Sequence, residues 1–120
     1  AHVDEGPVVM LAQGEVSGLE VKNVNGQWLA APPVPGAFTV NIGNSMMWWS
    51  NGRFKSTLHR VRNTSQRERF SIPFFWNADP DVVVEPLPEL VERDGGEPKY
   101  KPMLTRFYTS AVYIPFEKKD

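Results

Sequence analysis

The sequence contains no cysteine. Disulfides and thiolate metal sites are therefore excluded, and any metal must be held by histidine and carboxylate side chains. Histidine is itself scarce, with only His2 and His59 in the chain. No apolar run approaches the roughly 18 residues needed to span a bilayer. No charged n-region leads into an apolar h-region, so no signal peptide is read. The net charge is −1, which gives no bulk electrostatic reason to expect a nucleic-acid or membrane partner. An initial methionine is also missing. The chain opens on Ala1-His2, inside a motif developed below, and we expect a piece of a longer protein.

What is there suits one soluble domain with one modest core: 120 residues, 41% hydrophobic and 22% charged. Six basic residues cluster from Arg53 to Arg69, and seven acids lie from Asp79 to Glu97, where Arg93 is the only base. We read these as two solvated surface patches. Most of the chain reads as short strands between turns. Val8-Val9-Met10-Leu11 suits a buried strand. Leu19-Glu20-Val21-Lys22 alternates apolar with charged, Asn25-Gly26 supplies a tight hairpin turn, and Gln27-Trp28-Leu29-Ala30 returns as the partner strand. Pro32, Pro33, Pro35 and Gly36 interrupt the chain before a strand over 37–42, with Phe38, Val40 and Ile42 on one face.

A turn at Asn51-Gly52 precedes two further strands, around 57–62 and 69–76. The pattern predicts an all-β sandwich or barrel. Residues 79–102 are rich in proline, glycine and acids and read as a surface loop or linker. Leu104, Phe107, Tyr108 and Ala111 fall at helical spacing and predict a short closing helix over 104–114.

The chemistry begins with His2. Asp4 follows at i+2, so in extended chain both side chains leave one face and can touch one ion. His59 sits on a predicted strand. Two histidines and one carboxylate, leaving three positions open opposite, form the facial triad of non-haem Fe(II) oxygenases. On these residues alone, a buried histidine bonded to a backbone carbonyl is the commoner explanation. Arg69 and Ser71 likewise share one side of a strand. A guanidinium fork and a hydroxyl can hold the distal carboxylate of a 2-oxo dicarboxylic acid. The plainer alternative pairs Arg69 with Glu68 or Glu85 on the surface.

The segments Asn41-Ile42-Gly43, Ser50-Asn51-Gly52-Arg53-Phe54-Lys55-Ser56-Thr57-Leu58-His59-Arg60-Val61 and Arg69-Phe70-Ser71-Ile72-Pro73-Phe74-Phe75 occur in that order. With His2-Val3-Asp4 ahead of a hairpin near Gly18-Leu19-Glu20-Val21, they resemble the isopenicillin-N-synthase-like branch of the 2-oxoglutarate/Fe(II) dioxygenases. Arg69 stands ten positions after His59, as is typical there. The resemblance covers residues 1–77, the C-terminal part of such an enzyme, and leaves 78–120 as a Pro/acid-rich loop and helical extension. It implies a partial double-stranded β-helix, or jelly-roll barrel, with Fe(II) held by His2, Asp4 and His59. It further implies 2-oxoglutarate held by Arg69 and Ser71, O₂ as oxidant, ascorbate in support, and a cytoplasmic enzyme. The implied reaction couples decarboxylation of 2-oxoglutarate to succinate with hydroxylation or desaturation of a small organic molecule.

Three departures from the family stand out. Glu5 follows the metal Asp where an aromatic or small residue is usual, and we read it as an outward-facing bystander. Met46-Met47-Trp48-Trp49 replaces a more polar segment; its alternation puts two side chains into the core and two toward a substrate mouth, or all into the core. The long N-terminal region of family members, with its first barrel strands, is absent, which predicts an exposed sheet edge. Phe75 continues the parity of Arg69, Ser71 and Pro73 and is expected inside the barrel, as substrate contact or as core. Three alternatives stay open: an oxidase of this fold without 2-oxoglutarate, a truncated non-catalytic fragment, and a zinc hydrolase.

Overall fold

The computed structural model describes residues 1–109. Along the chain run β1 (Val8–Gln13), β2 (Leu19–Lys22), β3 (Trp28–Ala30), β4 (Thr39–Ile42), α1 (Asn44–Trp49), β5 (His59–Val61), β6 (Ser71–Trp76), β7 (Val83–Val84), α2 (Pro88–Arg93), β8 (Met103–Leu104) and α3 (Thr105–Thr109). β1 pairs antiparallel with β4 and β6, and β2 pairs antiparallel with β3 and β5. Two three-stranded sheets result, ordered β4-β1-β6 and β3-β2-β5, with a small β7-β8 ladder beside them. The chain crosses between the two sheets after β1, after β3, after α1 and after β5. This alternation is the jelly-roll pattern expected from the sequence.

Register decides which side chains face inward. Val9 lies opposite Asn41 and Phe75, and Leu11 opposite Thr39 and Pro73. In the second sheet Leu19 lies opposite Val61, and Val21 opposite His59. These positions from both sheets line one cavity between them. The other parity of the first sheet carries Met10 between Val40 and Phe74, and Val8 between Ile42 and Trp76. That outer face is open: Ile72 is 75% and Trp76 62% exposed. Among the described residues β6 is also an edge strand. Among the described residues the buried apolar side chains are Val9, Val16, Leu19 and Val84, a thinner core than the composition suggests.

β2 and β3 form the expected hairpin, with Asn25-Gly26 inside its turn. The turn covers 23–26, and in it Gly26 adopts φ +77° and donates to the Asn23 carbonyl. The Asn23 Oδ1 also accepts from the backbone N–H groups of Asn25 and Gln27. The Met46-Met47-Trp48-Trp49 run lies in α1 and does not alternate as a strand. The physical reason is tertiary: the Asn44 and Ser45 N–H groups donate to the Asp4 and Glu5 carbonyls, and Ser45 Oγ adds a bond to Glu5. These bonds fasten the helix start to the segment after Asp4. All four apolar side chains are half-buried and none lines the cavity, so the substrate-mouth reading of this run is corrected.

Residues 79–102 are more than a loop, since they contain β7 and α2. Pro88 stands in the first turn of α2, where its missing N–H is harmless, and Glu89 beside it suits the helix N-terminus. The segment is tied to α1 and its following turn. Leu87 N–H donates to the Trp49 carbonyl, and Asn51 Nδ2 donates to Asp94 while its Oδ1 accepts from Lys99 N–H. At the turn itself Asn51 (φ +52°) and Gly52 (φ +80°) both take the left-handed region, which these two residue types tolerate best. Of the closing helix predicted over 104–114, Leu104 ends β8 instead, α3 occupies Thr105–Thr109, and 110–114 lie outside the described residues. The basic cluster is not merely solvated either: Arg53 pairs with Asp94, Arg60 with Glu20 and Arg67 with Glu15.

Candidate functional site

His2 and His59 are brought together by their backbones. Each donates its N–H to the other's carbonyl, at 3.0 and 2.9 Å, so they form one antiparallel bridge. Residues directly opposite in such a pair project from the same face. Their rings accordingly stand with centroids 4.4 Å apart. Asp4, two residues beyond His2, turns its carboxylate into the same place. Oδ1 lies 3.4 Å from His2 Nε2, and Oδ2 lies 3.7 Å from His59 Nε2.

The donor set fits a divalent metal. One ligand atom from each of the three residues lies within 4.8 Å of the other two. Neighbouring ligands on an octahedral ion with bonds of about 2.1 Å sit roughly 3 Å apart, so each carboxylate–imidazole approach needs only a slight closure. The hydrogen bonding of His59 suits the same reading. Its Nδ1 lies 3.0 Å from the Thr57 carbonyl, which can only accept, so Nδ1 donates there and Nε2 is left directed at the Asp4 carboxylate. Asp4 is only 6% exposed, and a cation held between its carboxylate and the imidazoles would offset the cost of burying it. Asn41 completes the support, donating from Nδ2 to Asp4 Oδ2 at 2.7 Å. Glu5 is outside the cluster and instead accepts from Asn44 Nδ2.

Arg69, Ser71, Pro73 and Phe75 line the same cavity as the three metal-type ligands, and its volume is about 520 Å³. The strand parity read from the sequence therefore holds. Arg69 is paired with neither Glu68 nor Glu85. One terminal nitrogen donates to Ser71 Oγ at 3.1 Å and the other to Gln13 Oε1 at 3.2 Å. A guanidinium has five N–H donors, so capacity remains for a carboxylate. Gly18 permits this placement, because a Cβ there would stand 3.1 Å from Arg69 Cδ and 3.2 Å from its Nε. Gly43 has a similar part at the other end, where a Cβ would run into the backbone oxygens of Gly6 and Asp4. Phe75 remains 53% exposed, at the open side of the cavity.

Asn41 and Gln13 were not singled out from the sequence. The available signal was a polar residue at an inward strand position: Asn41 shares the cavity face with Val9, and Gln13 continues the parity of Val9 and Leu11.

Comparison with known proteins agrees with this geometry. A 2-oxoglutarate-Fe(II) type oxidoreductase (hxnY) of Emericella nidulans is 46% identical over 114 residues, covering 94% of this chain and 32% of the relative. Scopoletin 8-hydroxylase of Arabidopsis thaliana is 45% identical over 112 residues, covering 93% and 31%. The chain thus spans about a third of the length of the curated relatives it matches. Among solved structures, JOX2 in complex with 2OG, Fe and JA superposes with a TM-score of 0.84 at 38% identity, over 92% of this chain and 32% of that one. The dioxygenase for auxin oxidation of rice also gives 0.84, at 34% identity, over 92% and 38%. The family model of the 2OG-Fe(II) oxygenase superfamily matches residues 1–78, which include the histidine bridge, Asp4 and the Arg69-Ser71 pair, and the chain belongs to that superfamily.

Proposed function

We propose that this chain is the catalytic C-terminal part of an oxygenase of the isopenicillin-N-synthase-like branch, with residues 1–77 forming its share of the barrel and 78–120 an extension. His2, Asp4 and His59 hold Fe(II), and Arg69 with Ser71 holds the distal carboxylate of 2-oxoglutarate. The observation that carries this reading is that all five side chains line one cavity. When bound, Fe(II) activates O₂ and couples decarboxylation of 2-oxoglutarate to oxidation of a second substrate, hydroxylation being the expected outcome. The chain's own residues supply position and charge. Thr57 fixes the His59 tautomer, Asn41 orients the Asp4 carboxylate, and Gln13 with Ser71 aims the guanidinium. The apolar walls around Leu11, Val21 and Pro73 keep water away from the reacting groups.

A small organic substrate is supported by the relatives, among them a scopoletin hydroxylase and a dioxygenase for auxin oxidation. Phe75, on the open side, is the substrate contact. Among the described residues no helix is long and apolar enough to cross a membrane. We place the enzyme in the cytoplasm, as the family resemblance implies.

The test is succinate formation by the purified chain with Fe(II), ascorbate, O₂ and 2-oxoglutarate, against His59→Ala and chelator controls. Succinate above both controls is the expected result. Consumption of O₂ without succinate would identify an oxidase of this fold that does not use 2-oxoglutarate. No turnover together with no Fe(II) binding would sink the reading for this chain and leave a non-catalytic fragment. Once a substrate is in hand, Phe75→Ala should lower product formed per succinate; equal loss of both would remove Phe75 from the substrate.

A further inference from the structure

One charged group in the cavity has no part in holding the metal or 2-oxoglutarate. Lys55 lines it together with Thr57 and His59, the three occupying every second position. The Lys55 side chain is exposed to the cavity mouth, and among the described residues no carboxylate pairs with it. The other basic side chain of the cavity, Arg69, is already held by Gln13 and Ser71. A count of formal charge shows what this leaves over. In the loaded site proposed above, a divalent metal is balanced by the two carboxylates of 2-oxoglutarate, and Asp4 is balanced by Arg69. Lys55 then remains as one uncompensated positive charge at the solvent-exposed mouth of a largely apolar recess, where it can attract an anion.

We propose that Lys55 is a specificity residue and that the oxidised substrate is a small monoanionic acid, its carboxylate paired with the Lys55 ammonium and its apolar body toward Phe75. This rests on the function proposed above and names the substrate class of that site. Thr57, two residues on and lining the same cavity, offers a neutral hydroxyl as a second donor from the same stretch. The arrangement separates two acids by chemistry. The forked, pre-aimed guanidinium takes the dicarboxylic co-substrate, and the mobile point charge at the mouth takes acids of varied shape.

The experiment titrates phenylacetate, and separately the neutral phenylacetamide, into the full chain saturated with Zn(II) and 2-oxoglutarate, followed by NMR. 2-Oxoglutarate affinity is measured in parallel on each variant. Phenylacetate should bind more tightly than the amide by roughly tenfold, as expected for a charge-assisted pair in a partly dry site. Lys55→Met, which retains the aliphatic stem, should erase that preference with 2-oxoglutarate affinity unchanged, and Lys55→Arg should restore it. An acid preference that survives Lys55→Met overturns the proposal while the proposed function stands. Weakened 2-oxoglutarate binding in Lys55→Met also overturns it, because Lys55 would then belong to the co-substrate. Failure of the unaltered chain to bind Zn(II) and 2-oxoglutarate removes the functional reading and this inference with it.

Discussion

At the scale of single residues, the site depends on groups that do not touch the metal. Asn41 is the sharpest case. The Asp4 carboxylate is buried, and one of its oxygens takes a 2.7 Å hydrogen bond from the Asn41 amide. Replacement by leucine keeps the volume but removes the donor and leaves that oxygen free to rotate. Outer-shell partners of this kind are worth about 10–100-fold in metal affinity. Asn41→Leu should therefore weaken Mn(II) binding by at least about tenfold in calorimetry while circular dichroism stays unchanged. An unaltered affinity would show that the backbone alone holds Asp4 in place. The neighbouring glycines act through space rather than chemistry. Gly43 lets the start of α1 lie on the carbonyls after Asp4, and a side chain there would push the carboxylate away from both histidines.

At the scale of elements, one carboxylate gathers several of the bonds at the junction between α1 and the segment around α2. Asp94 accepts from Lys99 Nζ at 3.2 Å, from Arg53 at 2.7 Å and from Asn51 Nδ2 at 3.0 Å. The bond from Lys99 foremost, with those from Arg53 and Asn51, holds its pKa below the ordinary 3.8, against an opposing push from burial. A carboxyl whose folded pKa is depressed stabilises the fold above its unfolded pKa, and that contribution disappears as pH falls through the folded value. The thermal midpoint of the chain should therefore exceed that of Asp94→Asn at neutral pH. The gap should narrow as the solution is acidified below the ordinary carboxylate range. A gap that stays constant through acid would mean that Asp94 acts by shape and not by charge. The same junction explains why residues 79–102 looked like a linker. Its elements are short and rich in proline and acids, and their partners lie some forty residues earlier, as the Asn51–Asp94 bond shows.

At the scale of the whole molecule, the small sheets leave apolar surface in water. On the outer face of the β4-β1-β6 sheet Phe74 is 58% and Met10 37% exposed, beside Ile72 and Trp76 on the edge strand. An exposed apolar strand at a sheet edge is a template for pairing. The chain should self-associate with rising concentration in sedimentation velocity runs. A double Ile72→Lys, Phe74→Lys variant should shift it toward monomer, since both side chains point away from the cavity and neither touches the site. Equal association by the variant would place the contact elsewhere.

What the sequence by itself determined follows from short-range rules. The i+2 spacing of His2 and Asp4, the shared parity of Arg69, Ser71, Pro73 and Phe75, and the alternation along β2 all depend only on the two-residue repeat of extended chain. Each of them is seen in the structure, as is the mainly β architecture. What tertiary structure decided depended on partners far along the chain. The His2–His59 bridge joins residues 57 positions apart, and Asn41 reaches Asp4 across 37. The apolar run at 46–49 became helix because distant carbonyls at Asp4 and Glu5 captured the N–H groups of Asn44 and Ser45 just ahead of it. Local propensity could not choose between strand and helix for four bulky apolar residues, whereas those long-range hydrogen bonds could.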